Sequence, residues 1–100
     1  MTFKQMKTAK LGIVLQLTEV SADAKKERLW EVHDVERNRG FRVTVPAASG
    51  GKTLSADALE TAIGLAVERF LVSSPELVAG PMYEVQVGSQ DFDELARLKS

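Results

Sequence analysis

Two stretches alternate strictly between apolar and polar residues, Phe41-Arg42-Val43-Thr44-Val45 and Tyr83-Glu84-Val85-Gln86-Val87. Successive side chains of a strand point to opposite faces, so each stretch turns its apolar residues to a core and Arg42, Thr44, Glu84 and Gln86 to the other side. Between them Leu59, Ile63, Ala66, Val67, Phe70 and Leu71 recur at helical spacing, the stripe of an amphipathic helix. Ser55 is placed to cap it, Asp57 falls in the first turn where the dipole favours an anion, and Leu54 can staple to Leu59. The helix is predicted over 56–72, with Asp57, Glu60, Thr61, Glu68 and Arg69 toward water. At about 1.5 Å per residue its length is about 26 Å, enough to cross four strands about 4.8 Å apart.

Upstream, Lys10 to Val20 reads as a first strand, with Leu11, Ile13, Leu15 and Leu17 on one face and Val14, Gln16 and Thr18 on the other. Ser21 to Glu27 is a polar connection. Arg28 to Glu36 fits two patterns. As a strand it enters a hairpin through Arg37-Asn38-Arg39-Gly40, where Asn tolerates and Gly favours positive φ. As a helix it is capped by Ser21 and ended by Gly40, and Trp30 is left wet. The hairpin is preferred because it feeds the clean strand that follows. Ser73-Ser74-Pro75 stops the main helix, Gly80-Pro81 turns into the last strand, and Asp91 with Glu94 has the spacing of a capping pair for a terminal helix carrying Phe92, Leu95 and Leu98. The fold expected is α+β, a two-layer sandwich of one domain over residues 1–100. A mostly antiparallel four-stranded sheet carries one main helix on one face, in the order β-β-β-α-β-α.

One helix covers one face of a sheet. The other face of the expected fold presents Arg42, Thr44, Glu84 and Gln86 beside Val14, Gln16 and Thr18, a polar field with an apolar spot. A chain of 100 residues buries about 60–65% of the surface its unfolded form exposes, so a second copy packed on that face adds stability. The sequence thus points to a small non-enzymatic module working through protein–protein contacts, self-association first, with no cofactor.

Charge refines this reading. The net charge of −1 conceals a division: residues 1–42 carry nine Lys/Arg against six Asp/Glu, and residues 43–100 four against eight. Neither half is basic enough to hold a nucleic acid by phosphate neutralisation alone. Arg37, Arg39 and Arg42 do cluster at the expected hairpin, with Lys25, Lys26 and Arg28 at its far end, and they make nucleic acid the alternative partner. Glu27, Glu31, Asp34 and Glu36 interleave with them. The element order is similar to that of double-stranded RNA-binding domains, but the lysines that family carries at the start of its last helix are replaced by Ser55-Ala56-Asp57-Ala58-Leu59-Glu60. Thr53-Leu54 ahead of Ala58-Leu59-Glu60-Thr61-Ala62 resembles the helix entry of HicB-type antitoxins over about residues 28–72, with two extra residues and without the glycine-rich approach. That resemblance implies a regulatory protein and belongs to the same alternative.

Catalytic motifs have simpler explanations. Pro46-Ala47-Ala48-Ser49-Gly50-Gly51-Lys52-Thr53 ends like a phosphate-binding loop, yet Pro46 stands where that loop needs glycine and the cap signal comes later, at Ser55. His33 is the single histidine, flanked by Glu31 and Asp34, without the further ligands a zinc site needs. Asp91-Phe92-Asp93-Glu94 is a capping arrangement lacking the spacing and glycine of a calcium loop. Absence of cysteine removes thiol and disulfide chemistry and fits a reducing compartment, the cytoplasm. The run Leu11–Leu17 behind Lys4, Lys7 and Lys10 outlines a leader but contains Gln16 and is followed by Thr18 and Glu19, so no cleaved leader is expected. No stretch has the length of a membrane span.

Overall fold

In a computed structural model that describes residues 3–21, 27–46, 55–74, 76 and 80–99, the chain is α+β with an open sheet of five strands. The strands are β1 (Phe3–Lys7), β2 (Val14–Ser21), β3 (Arg28–Asp34), β4 (Arg39–Val45) and β5 (Met82–Gln86), in spatial order β1-β2-β3-β4-β5. The first four pair antiparallel; β5 joins β4 in parallel after the crossover through α1 (Ala56–Ser73). The second helix, α2 (Ser89–Lys99), packs on α1.

Phe41, Val43 and Val45 of β4 meet Leu15, Leu17, Val32, Val85 and Val87 in a core closed by Leu59, Ala62, Ile63, Ala66 and Val67 of α1. Phe41 also stands edge-on to Phe70, ring centroids 6.1 Å apart. Ser55 caps α1 as the sequence implies, its hydroxyl accepting from Ala58 N–H at 3.2 Å. Residues 28–34 are strand, and Trp30 packs against the core.

Several expectations need correction. The sheet has a fifth strand, β1, paired with β2 from Phe3↔Thr18 to Lys7↔Val14. Residues 8–13 form its turn rather than the start of β2: Thr8 N–H donates to Ile13 carbonyl, Ile13 N–H donates to the buried Thr8 hydroxyl, both at 2.9 Å, and Gly12 takes φ +65°. In the β3–β4 hairpin the left-handed residue is Asn38, φ +50°. Gly40 instead lies within β4 opposite Met82, whose sulfur would stand 3.0 Å from an added Cβ.

Glu68 does not face water. The turn after β1 and helix α2 close over that flank of α1 and leave Glu68 buried, and Arg69 reaches across to α2. Asp91 is not the cap of α2 but its third residue, accepting from Gly88 N–H at 2.8 Å, the return half of a capping box. The Leu54 staple, the Lys25 and Lys26 pair, the Pro75 stop and the phosphate-loop-like segment over 47–53 lie outside the described residues.

Candidate interaction surface

Register decides which side chains share a face. Directly opposed residues of paired strands lie on the same side of the sheet, so the face away from α1 can be read as rows across the strands. One row runs Gln5, Gln16, His33, Gly40, Met82; the next Thr18, Glu31, Arg42, Glu84; the next Ser21, Leu29, Thr44, Gln86. Val14 opposes Lys7 at one end. All seven residues expected on this surface, Val14, Gln16, Thr18, Arg42, Thr44, Glu84 and Gln86, are on it.

Sequence reasoning missed Gln5, Leu29, Glu31, His33 and Met82. The β3 members follow by simple alternation once 28–34 is taken as a strand. Gln5 and Met82 follow only from the pairing of edge strands.

The middle row has an alternating charge pattern. Glu31, Arg42 and Glu84 are exposed neighbours across β3, β4 and β5, anion–cation–anion, and none of them forms an ion pair among the described residues. Around it Val14 and Leu29 are half-buried and Met82 is 51% exposed, giving the polar field apolar footholds.

The three arginines of the alternative patch are not brought together. Arg42 is on this open face, whereas Arg39 opposes Asp34 on the helix-covered side and donates to its carboxylate at 3.0 Å. Asp34 is fully buried, and Arg37 approaches the same carboxylate at 3.7 Å. Two of the three cations are therefore committed to one buried anion, which organises the hairpin.

Three further pairs on the covered side are matched within the chain, whereas the buried Glu68 forms no ion pair among the described residues. Arg69 donates from Nε and Nη2 to the two oxygens of Asp91, each at 3.1 Å, and from Nη2 to the Gln86 carbonyl at 3.0 Å, tying α1 to α2 and β5. The hydrogen bond to Asp91 raises the Arg69 pKa further above its already high ordinary value. Lys4 donates to Glu60 at 3.0 Å, which raises the lysine pKa, and Lys10 lies 2.6 Å from Glu94, which lowers that carboxyl's pKa through the same kind of bond.

His33 stands exposed on the open face between Gln16 and Gly40, away from the clefts beside α1 and α2 among the described residues. Among the described residues no three of His, Cys, Asp and Glu gather into a group that could hold a metal, and no helix is long and apolar enough to cross a membrane. What the open face offers chemically is recognition through hydrogen-bonding side chains, an unpaired charge row and three apolar footholds. Comparison of the chain with protein-family models, curated proteins and solved structures finds no match.

Proposed function

We propose that this chain is a non-enzymatic interaction module that associates with a second copy of itself through the open sheet face. The supporting observation is the exposed Glu31–Arg42 pair of the middle row, which is complementary to itself, while Glu84 falls opposite the hydroxyl of Thr18. A twofold axis along the strands between β3 and β4 lays β3 of each copy over β4 of the other. Glu31 then faces the partner's Arg42, Leu29 faces the partner's Thr44, and Gln16 faces the partner's Met82. Each contact occurs twice, as an isologous interface requires. The twist of each sheet accommodates such aligned packing at about 30°.

Size sets the expected strength. Four overlapping strands about 4.8 Å apart and about six residues long, at about 3.3 Å each, cover roughly 400 Å² per copy. That is at the small end of specific interfaces and belongs to weak, exchanging assemblies. The absence of cysteine is compatible with a reducing, cytoplasmic setting.

The test is a charge swap. Sedimentation or light scattering from about 10 μM to about 1 mM is expected to give a concentration-dependent dimer. Arg42→Glu sets like charges against each other and abolishes it, since such juxtaposition costs several kcal/mol. E31R combined with R42E in the same chain restores it. A wild-type monomer throughout that range, or a double variant no better than R42E, sinks the proposal.

A further inference from the structure

The sheet has two edges, and they are built differently. An edge strand presents unpaired backbone groups, and inward-pointing charges, proline or bulges keep other strands from pairing with them. β1 is guarded in this way: Lys4 lies on the covered side with its register partner Leu17 and bonds Glu60 at 3.0 Å. β5 has no such guard. Met82-Tyr83-Glu84-Val85-Gln86 contains neither lysine, arginine nor proline, and it runs in unbroken register from Gly40↔Met82 to Thr44↔Gln86. No further strand pairs with it among the described residues.

Two hydrogen bonds fix which peptide groups of β5 are turned outward. Val87 N–H donates to the Thr44 carbonyl at 2.9 Å, so by alternation Val85 and Val87 address β4, and Glu84 and Gln86 address the outer side. The Gln86 carbonyl accordingly accepts from Arg69 Nη2 at 3.0 Å, and its second lone pair remains. Beside these residues lies an open groove of about 540 Å³, lined by Arg69 and Phe70 of α1, by residues 84–88 and by Gln90. Helix α2 leads away from it, to the turn joining β1 and β2, where Glu94 meets Lys10 at 2.6 Å.

We propose that the β5 edge takes up an extended segment of a different protein as a sixth, antiparallel strand, with a basic residue opposite Glu84 and β-branched apolar residues opposite Tyr83 and Val85. Strand addition of this kind draws affinity from the main chain and specificity from alternate side chains. The basic residue is indicated by Glu84, which is exposed and forms no ion pair among the described residues. Opposite charges across a strand pair are favourable, and like charges are not. The apolar residues are indicated by Val85 and Phe70, which line the groove on the helix side. A second copy of the chain fits poorly. Its β5, laid antiparallel, sets Glu84 against Gln86 or against another Glu84, and its β1 is closed by Lys4.

The edge is distinct from the open face, so failure of either reading leaves the other standing. Amide chemical shifts of the full chain are followed at neutral pH, at a concentration too low for self-association, while acetyl-Val-Thr-Val-Lys-Val-Thr-amide is added. The same peptide with glutamate in place of lysine, and the same peptide N-methylated at the lysine, are the controls. The lysine peptide is expected to give saturable shifts centred on the Glu84 and Gln86 amides, with the glutamate peptide about fivefold weaker or worse. The N-methylated peptide, which lacks a donor to the edge, does not bind. Glu84→Lys inverts the preference between the lysine and glutamate peptides. Equal affinity for those two peptides, a preference unchanged in a folded E84K chain, binding of the N-methylated peptide, or shifts that do not saturate overturns the proposal. If E84K does not fold, the three peptides on the unaltered chain decide the question alone.

Discussion

The two faces of the sheet use the same strands and handle charge in opposite ways. On the helix-covered side, Asp34 and Arg39 are neighbours on β3 and β4 and bond to each other, the buried Asp91 is gripped by Arg69, and Lys4 reaches Glu60 on α1. On the open side, Glu31, Arg42 and Glu84 are also cross-strand neighbours, exposed, and none makes an ion pair among the described residues. Burial explains the matching of Asp34 and Asp91, which are almost fully withdrawn from water and would otherwise cost the fold several kcal/mol. Water already solvates the open-side charges, so folding places no demand on their pattern. Under the self-association proposed above, the alternation of sign there is what sets a contact surface apart from a merely solvated one.

That contrast is broken most severely by truncating alternate residues of one strand. Phe41→Ala removes a fully buried ring that packs against Phe70 and Tyr83 and is expected to cost about 3–5 kcal/mol. Thr44→Ala, three residues along and on the other face, is expected to change stability by about 0.5 kcal/mol or less. Urea midpoints of the two variants measure the difference directly, and comparable losses would mean that the open face is covered within the single chain.

Strand β3 offers the same comparison with charge. Asp34→Ala leaves Arg39, whose side chain is 15% exposed, without its buried partner, and a loss of about 3 kcal/mol is expected. Glu31→Ala on the opposite face is expected to cost about 0.5 kcal/mol or less at a protein concentration too low for dimers. At high concentration E31A should weaken self-association more than it weakens folding. The ratio of the two effects separates a contact residue from a solvated one.

How much of this was legible follows from which residues are set locally. The alternation of β4 and β5 and the Ser55 cap are local patterns, and they placed Arg42, Thr44, Glu84 and Gln86 on one face before any pairing was known. β1 was not legible because Phe3-Lys4-Gln5-Met6-Lys7 does not alternate: Met6 lies on the covered side and so does Lys4, a lysine on a core-facing position of an edge strand. Glu68 was misplaced for a tertiary reason. It lies on the flank of the helix opposite the main stripe, and that flank is covered by α2 and the turn at Lys10–Leu11. The sequence carried one signal of that second cover, the apolar Leu65 and Val72 standing outside the main stripe at i and i+7. The arginine cluster was adjacent in sequence but is divided by the strand's own alternation, which sends Arg39 and Arg42 to opposite faces.

The smallest expected effect sharpens the comparison through pH. Lys10 holds the Glu94 carboxyl below its ordinary pKa, chiefly by a hydrogen bond and then by its charge, with Arg97 adding to it. A carboxyl that is more acidic when folded than unfolded stabilises the fold above its unfolded pKa, about 4.3 for glutamate. That contribution disappears as pH falls through the lowered folded value. The unaltered chain is therefore expected to be slightly more stable than Glu94→Gln at pH 7, and the two urea midpoints should converge as pH falls below the lowered folded value. Dimerisation should not distinguish them at either pH, because Glu94 belongs to the α2 side and touches no residue of the open face. If E94Q instead altered the dimer, the helix layer and the sheet face would be coupled, and the division of labour between the two sides of the sheet would have to be abandoned.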